Sequence, residues 1–219
     1  TKSEQLAVKR LIKAARDSGF SQVSLQLEPI AAAFHYEATI DNEENVLVAD
    51  FGGGTSDFTI MKLSPEKRLK KDRNDDILAY DGVYIGGDML DFEILWDKIT
   101  PHLGRGVTYS SYNKDLPIPI SIFRELKNWE RSFLLKESKM RRSLNGYYVF
   151  SGNNPLIDNL RVLIDQNYIY SLFKSVEKSK IKLSEVDCSL ISFDKEDLKI
   201  TEALSLSDFE LIIKKETTE

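Results

Sequence analysis

Asp50-Phe51-Gly52-Gly53-Gly54-Thr55-Ser56-Asp57 closes the most apolar strand-like run of the chain, Asn45 to Phe51, and opens a second run, Thr55 to Leu63. Two such runs joined by glycines predict a pair of strands with the glycines at the turn, and Phe58, Ile60 and Leu63 facing a core. Three glycines in a row also leave backbone N–H groups uncovered and let the main chain come close to a bulky anion, as phosphate binding requires. Thr55 adds a hydroxyl at the same place. Asp50 and Asp57 bracket the turn, and carboxylates beside phosphates usually act through a hydrated divalent cation, because Mg²⁺ keeps several of its waters. The pattern is not a P-loop, since no Gly-Lys-Ser/Thr follows and the glycines lead into a strand. The other reading of the segment alone is a glycine hairpin with two turn aspartates.

Upstream, Ser3 to Ser18 places Leu6, Leu11, Ile12 and Ala15 at helical spacing, with Gly19 where a left-handed C-terminal cap would sit. Val23, Leu25 and Leu27 alternate with polar residues as a strand does. Glu28-Pro29 then turns the chain into a helix beginning Ile30-Ala31-Ala32-Ala33-Phe34, with Pro29 in its first turn. Glu28 thereby stands at a strand end, where an α/β fold places its ligand crevice. Its other reading is a surface glutamate.

Downstream, Ser64 to Asp76 is dense in charges of both signs, including Lys70-Lys71-Asp72-Arg73, and reads as a solvated hairpin end. Ile77 to Ile85 returns as a strand. Gly86-Gly87-Asp88 leads into a helix with Leu90, Ile94, Leu95 and Ile99 on its apolar side; glycines before a helix N-terminus leave free N–H groups that favour an anion, or form a plain cap. Pro101 to Pro119, with Gly104, Gly106 and Pro117-Ile118-Pro119, reads as an irregular crossing between subdomains. Mainly helical sequence follows: Ser121 to about Phe133, Asn154-Pro155 opening a helix to Asp165, and Tyr168 to about Leu183. Cys188 to Phe193 and Leu198 to Leu204 read as strands, and a last helix starts near Ser207 and runs to Glu219. On the Tyr168 helix, Glu177, Lys180, Ile181 and Ser184 fall at i, i+3, i+4 and i+7, offering polar heads and aliphatic stems that suit a flat heteroaromatic ring with hydroxyls, or simply a solvated face.

Composition narrows the partners. Lys plus Arg total 30 against Asp plus Glu 35, a formal charge of −5 and the wrong sign for a general nucleic-acid or acidic-lipid binder. Neither nucleic acid nor membrane is expected as a partner. One cysteine among 219 residues permits no internal disulfide, so the expected compartment is the reducing cytoplasm, with Cys188 a small core residue. His35 and His102 lack companions at metal-ligand spacing. Trp96 and Trp129 are expected to pack helices, and Lys139-Met140-Arg141-Arg142 to form an exposed loop or helix end.

Taken together, four segments in order resemble the nucleotide-binding domain of the DnaK-type heat-shock-70 chaperones, within the actin-like ATPase superfamily. Glu28-Pro29-Ile30-Ala31-Ala32-Ala33 resembles that family's Asn-Glu-Pro-Thr-Ala-Ala-Ala, and Asp50 to Asp57 is similar to its second phosphate loop, Asp-Leu-Gly-Gly-Gly-Thr-Phe-Asp. Gly86-Gly87-Asp88-Met89-Leu90-Asp91 resembles Gly-Gly-Glu-Asp-Phe-Asp, and Glu177 to Ser184 resembles Glu-Arg-Ala-Lys-Arg-Thr-Leu-Ser. The sequence between Pro101 and Gly152 departs from the common pattern and looks more like the divergent YegD-like branch. The resemblance implies an α/β lobe of the actin-like ATPase (ribonuclease H-like) fold with a smaller, mainly helical α+β subdomain. Residues 1–87 would be the lower subdomain with the phosphate loop, and residues 88–219 the upper one with the adenosine-contacting helix.

By position, the resemblance implies that Gly52, Gly53, Gly54, Thr55, Gly86 and Gly87 surround the β and γ phosphates of ATP or ADP. Asp50, Asp57 and Glu28 would arrange Mg²⁺ and its waters, with K⁺ a further candidate, and Glu177, Lys180 and Ser184 would hold adenosine. Ile181 stands where the family usually has an arginine against the adenine. The family's Asp-x-Gly-Thr loop and Gly-Gly-x-x-Arg segment are not found, which is expected of a central piece of a larger domain. The function implied is ATP binding and hydrolysis coupled to lobe closure in a chaperone, with unfolded clients or co-chaperones as partners. Two alternatives are a non-hydrolysing nucleotide-sensing module, favoured by Ile181, and an actin-like sugar kinase.

Overall fold

A computed structural model describes residues 2–70, 72–127 and 129–218. Thr1, Lys71, Asn128 and Glu219, which some of the readings above include, lie outside them. The chain mixes helices with small antiparallel sheets and divides into two compact units, Thr1–Tyr84 and Ile85–Glu219. No helix among the described residues is long and apolar enough to cross a membrane.

The first unit begins with helix α1, Lys2–Asp17, and Gly19 follows it at φ 98°, the left-handed cap that the sequence predicts. Leu6 and Leu11 of its apolar face are exposed. Residues 20–27 belong to no strand, contrary to the alternation of Val23, Leu25 and Leu27. A strand exists only through a ladder partner, and this segment has none among the described residues. Helix α2, Glu28–Glu37, carries Pro29 in its first turn and packs on a three-stranded sheet ordered β1 (Glu44–Phe51), β2 (Ser56–Leu63) and β3 (Ile77–Val83).

Ile30, Ala33 and Ile40 meet Met61 and Leu63 in a small core, with Phe34, Val46, Val48 and Ile77 around it. Side chains alternate faces along a strand, so Thr59, Met61 and Leu63 turn inward together. Of the three expected core residues of β2, only Leu63 is buried there. Ile60 is exposed and Phe58 half-buried on the open face, where Phe58 meets exposed Phe51 edge-on at 5.8 Å.

The charged stretch after β2 is solvated only in part: Glu66, Lys70, Asp72 and Asp75 are exposed, while Lys67, Arg73 and Asp76 enter a paired cluster. Arg73 donates to both oxygens of Glu37, at 2.7 and 2.8 Å, and its Nε donates to Asp76 Oδ2 at 2.6 Å. Lys67 donates to the other Asp76 oxygen at 2.6 Å, and the Ser64 N–H donates to Glu37 Oε1 at 2.9 Å. Arg68 donates to the carbonyls of Glu37 and Ile40 at the end of α2, where helix carbonyls lack partners. Glu37 and Asp76 are 2% and 3% exposed. Mixed charges along the sequence suggested water on all sides; instead this cluster pairs through space and ties the end of α2 to the segment between β2 and β3.

The second unit opens with α3, Gly87–Ile94, prolonged by a wider turn through Ile99 and a tight one through Leu103. The stretch from Pro101 to Pro119 is more regular than its glycines and prolines suggest. It holds the hairpin β4 (Thr108–Ser111) and β5 (Lys114–Pro117), turned by Tyr112 and Asn113 at φ 47° and 59°, the left-handed pair that suits strand twist. Leu103 and Ile118 lie in one core with Phe92, Ile94 and Ile157, so no boundary falls there.

Helix α4, Ile120–Arg124, is shorter than expected and gives way to 3₁₀ turns reaching Lys136. Helix α5, Ser138–Phe150, has Lys139-Met140-Arg141-Arg142 at its start, the exposed helix end that the sequence allows; only Leu144 of it is fully buried, so its apolar signal is weak. In α6, Pro155–Asp165, Asn154 Oδ1 accepts from the Leu156 N–H at 2.9 Å, the expected cap, and Ile157, Leu160, Leu163 and Ile164 are buried. Helix α7, Ile169–Lys182, packs on the hairpin of β6 (Cys188–Asp194) and β7 (Lys199–Ser205), and α8 (Leu206–Thr217) follows a Ser205–Asp208 capping box. Cys188 is exposed rather than in the core, because Ser189, Ile191 and Phe193 take the inward positions of β6. Trp96 and Trp129 pack against the core as expected.

Candidate functional site

In the first unit the ladder pairs Asp50 with Asp57 and Phe51 with Ser56, leaving Gly52 to Thr55 as the loop, closed by the Gly52 N–H donating to the Thr55 carbonyl at 2.9 Å. Directly opposed residues share a face, so the two aspartates stand together at the loop end of the hairpin. Like charges in that position oppose each other by a few tenths to about 1 kcal/mol. The Thr55 hydroxyl donates to Asp57 Oδ2 at 2.7 Å and fixes that carboxylate. Neither Gly52 nor Gly54 has a positive φ, and a Cβ at Gly54 would meet nothing within 4 Å. Turn geometry therefore does not require glycine at Gly54; the hairpin leaves its backbone uncovered there.

Gly82 is closely approached by the Asp57 side chain. It pairs with Asp57 across the β2–β3 ladder, and a Cβ there would sit 2.4 Å from Asp57 Oδ1. A glycine inside a strand marks a close approach, and that signal was present in the sequence. Gly82→Ala is expected to push the Asp57 carboxylate off Thr55 and destabilise the first unit by about 1 kcal/mol, the scale of the one hydrogen bond lost. On an Asp57→Ala background the same change should be nearly neutral in urea unfolding, because the clash is gone. Equal losses on both backgrounds would exclude this account.

In the second unit Gly86 precedes α3 with no side chain capping the helix, and Gly87 is its first residue. Lys180 of α7 reaches this end: its ammonium donates to the Gly87 carbonyl at 3.0 Å and lies 2.9 Å from Asp91 Oδ1. Asp91 is 4% exposed, and that oxygen is off the line a hydrogen bond needs, so it is paired in charge alone. Burial pushes the Asp91 carboxyl above its ordinary value; Lys180 pulls it back, and Glu177 and Asp88 push it up again. Asp91 lies on the same side of the helix as Ile94 and Leu95, and an acid on an apolar stripe was the legible sign of it.

The remaining expected residues are looser. Glu177 is paired with Lys174 on its own helix. Ser184 falls in the turn after α7 rather than on the helix, its N–H donating to the Ile181 carbonyl at 3.1 Å, and Ile181 is exposed. Glu28 is exposed at the first residue of α2. Each unit therefore brings part of the set together: Asp50, Thr55 and Asp57 in the first, Gly87 and Lys180 in the second. No group of three or more His, Cys, Asp or Glu side chains among the described residues could enclose a bare cation. Asp50 and Asp57 suit an ion that keeps its own water shell. No protein-family model matches the chain.

Proposed function

We propose that this chain binds ATP as a Mg²⁺ complex, as part of a heat-shock-70-like chaperone of the actin-like ATPase fold. The observation carrying this reading is the opposed pair Asp50 and Asp57 beside an uncovered glycine loop. Two carboxylates on neighbouring strands repel until a cation joins them, and the exposed backbone of Gly53 and Gly54 next to them suits the phosphates that such a cation accompanies. In this reading Asp50 and Asp57 hold waters of the ion, Thr55 orients Asp57, and the Gly52–Gly54 backbone lies along the phosphates. Within the second unit, Gly86 and Gly87 stand at the positive end of α3, and the resemblance assigns Glu177, Lys180 and Ser184 to a nucleoside. The bound ion would supply charge neutralisation at the phosphates.

Exposed Ile181 favours a second reading, a nucleotide-sensing module that does not hydrolyse. No guanidinium is available at that position to lie against the base, so affinity rests on the phosphates and the ion. Calorimetry of the chain with Mg-ATP is expected to show one site, weakened about tenfold or more by Asp50→Asn, which removes one charge opposite Asp57. Binding that Asp50→Asn leaves unchanged, or none at all, overturns the proposal. Phosphate release under saturating Mg-ATP separates the two readings.

A further inference from the structure

Helix α5 carries Lys139, Arg141 and Arg142 within its first five residues and no acidic residue along its length. This is the end where the helix dipole disfavours positive charge, and no side chain caps it. An arrangement set against local preference marks a place where something other than helix stability is served.

Between α5 and α6 lies a cavity of about 300 Å³, at the lower end of the size range of small-molecule sites. Arg141, Arg142 and Arg161 line it together with Asn145, and Leu144 and Ile164 supply apolar surface. Asp165 is the one acid in the lining, and Arg141 Nε lies 3.0 Å from it. Arg161 is held by Asp158 at 2.7 Å and lies over the Tyr148 ring at 4.5 Å, which fixes the plane of its guanidinium. Arg142 is exposed and pairs with no described residue. With Arg141 on Asp165 and Arg161 on Asp158, the charge of Arg142 is left uncompensated and the lining is positive in a chain whose net charge is −5.

We propose that this cleft binds a small organic phosphate, a sugar-sized or single-ring body bearing one dianionic group. Guanidinium forks match pairs of phosphate oxygens, Asn145 adds an amide donor, and the surfaces of Leu144 and Ile164 fit a carbon skeleton that inorganic phosphate lacks. The site shares no residue with the proposed ATP site and stands or falls separately from it.

The test is a titration of the full chain with phenyl phosphate and, in parallel, with inorganic phosphate, followed through the backbone amide signals of Arg142, Asn145 and Arg161. Phenyl phosphate is expected to saturate one site and to bind more tightly than inorganic phosphate. Arg142→Gln should weaken it about tenfold and Arg142→Lys less, since Lys keeps the charge and loses the fork. Arg142 is exposed, so both variants are expected to fold, which circular dichroism checks. No saturable shift with phenyl phosphate, equal affinity for the two probes, or unchanged affinity in Arg142→Gln each overturns the proposal.

Discussion

Arg73→Ala is expected to destabilise the first unit by about 3 kcal/mol, the lower end of the range for breaking a buried ion pair by removing one partner. Arg73 is the cation for Glu37, which is 2% exposed, and it shares Asp76 with Lys67. Lys67 still neutralises Asp76 in the variant, so the loss falls mainly on Glu37. That carboxylate would keep the Ser64 N–H and lose every charge partner.

The pH dependence identifies the mechanism. Hydrogen bonds from Arg73 hold the Glu37 carboxyl below its ordinary value. Burial raises Asp76, but Lys67 and Arg73 outweigh it and the net shift is downward. Carboxyls depressed in the folded state add stability that is present above their unfolded values, about 4, and is lost as pH falls through the folded ones. Urea unfolding of the unsubstituted chain should therefore weaken on acidification below that range. In Arg73→Ala the acid limb should be shallower, because Glu37 no longer has a depressed value to lose. An acid limb as steep as in the unsubstituted chain would place the stabilisation elsewhere.

The same cluster shows what the sequence could and could not declare. Turn and cap chemistry acts within a few residues, so the glycine hairpin, the Asn154-Pro155 cap and the left-handed Gly19 were legible from local residues alone. Ladder partners and ion pairs are decided at a distance. Glu37 and Arg73 are 36 residues apart, and nothing local separates a paired arginine from a solvated one. Val23 to Leu27 alternates correctly and finds no partner. In β2 both faces carry apolar residues, Phe58 and Ile60 on one and Met61 and Leu63 on the other. The packing of α2, not periodicity, chose between them. At the candidate site the loop residues were legible as chemistry. Gly82 and Asp91 show locally only as a glycine inside a strand and an acid on an apolar helix face; that they meet Asp57 and Lys180 was not legible, because each acts through contact with another element.

Lys180→Ala is expected to cost the second unit about 3–5 kcal/mol, because it leaves Asp91 buried with no cation and one oxygen with no hydrogen bond. The Gly87 carbonyl would lose its donor in the same step. Two measurements separate this from a general loss of packing. The Asp91 carboxyl already lies above its ordinary value through burial, and Lys180 is the group that pulls it down. Without Lys180 it should rise further, so the folded variant takes up a proton more readily than the unfolded chain. Its stability should therefore recover as pH falls, opposite in sign to the acid response expected of Glu37 and Asp76. The second measurement is a double-mutant cycle: Asp91→Asn removes the buried charge, so Asp91→Asn with Lys180→Ala should be more stable than Lys180→Ala alone. If the losses add and acid does not restore stability, the pair is not what joins α7 to the start of α3.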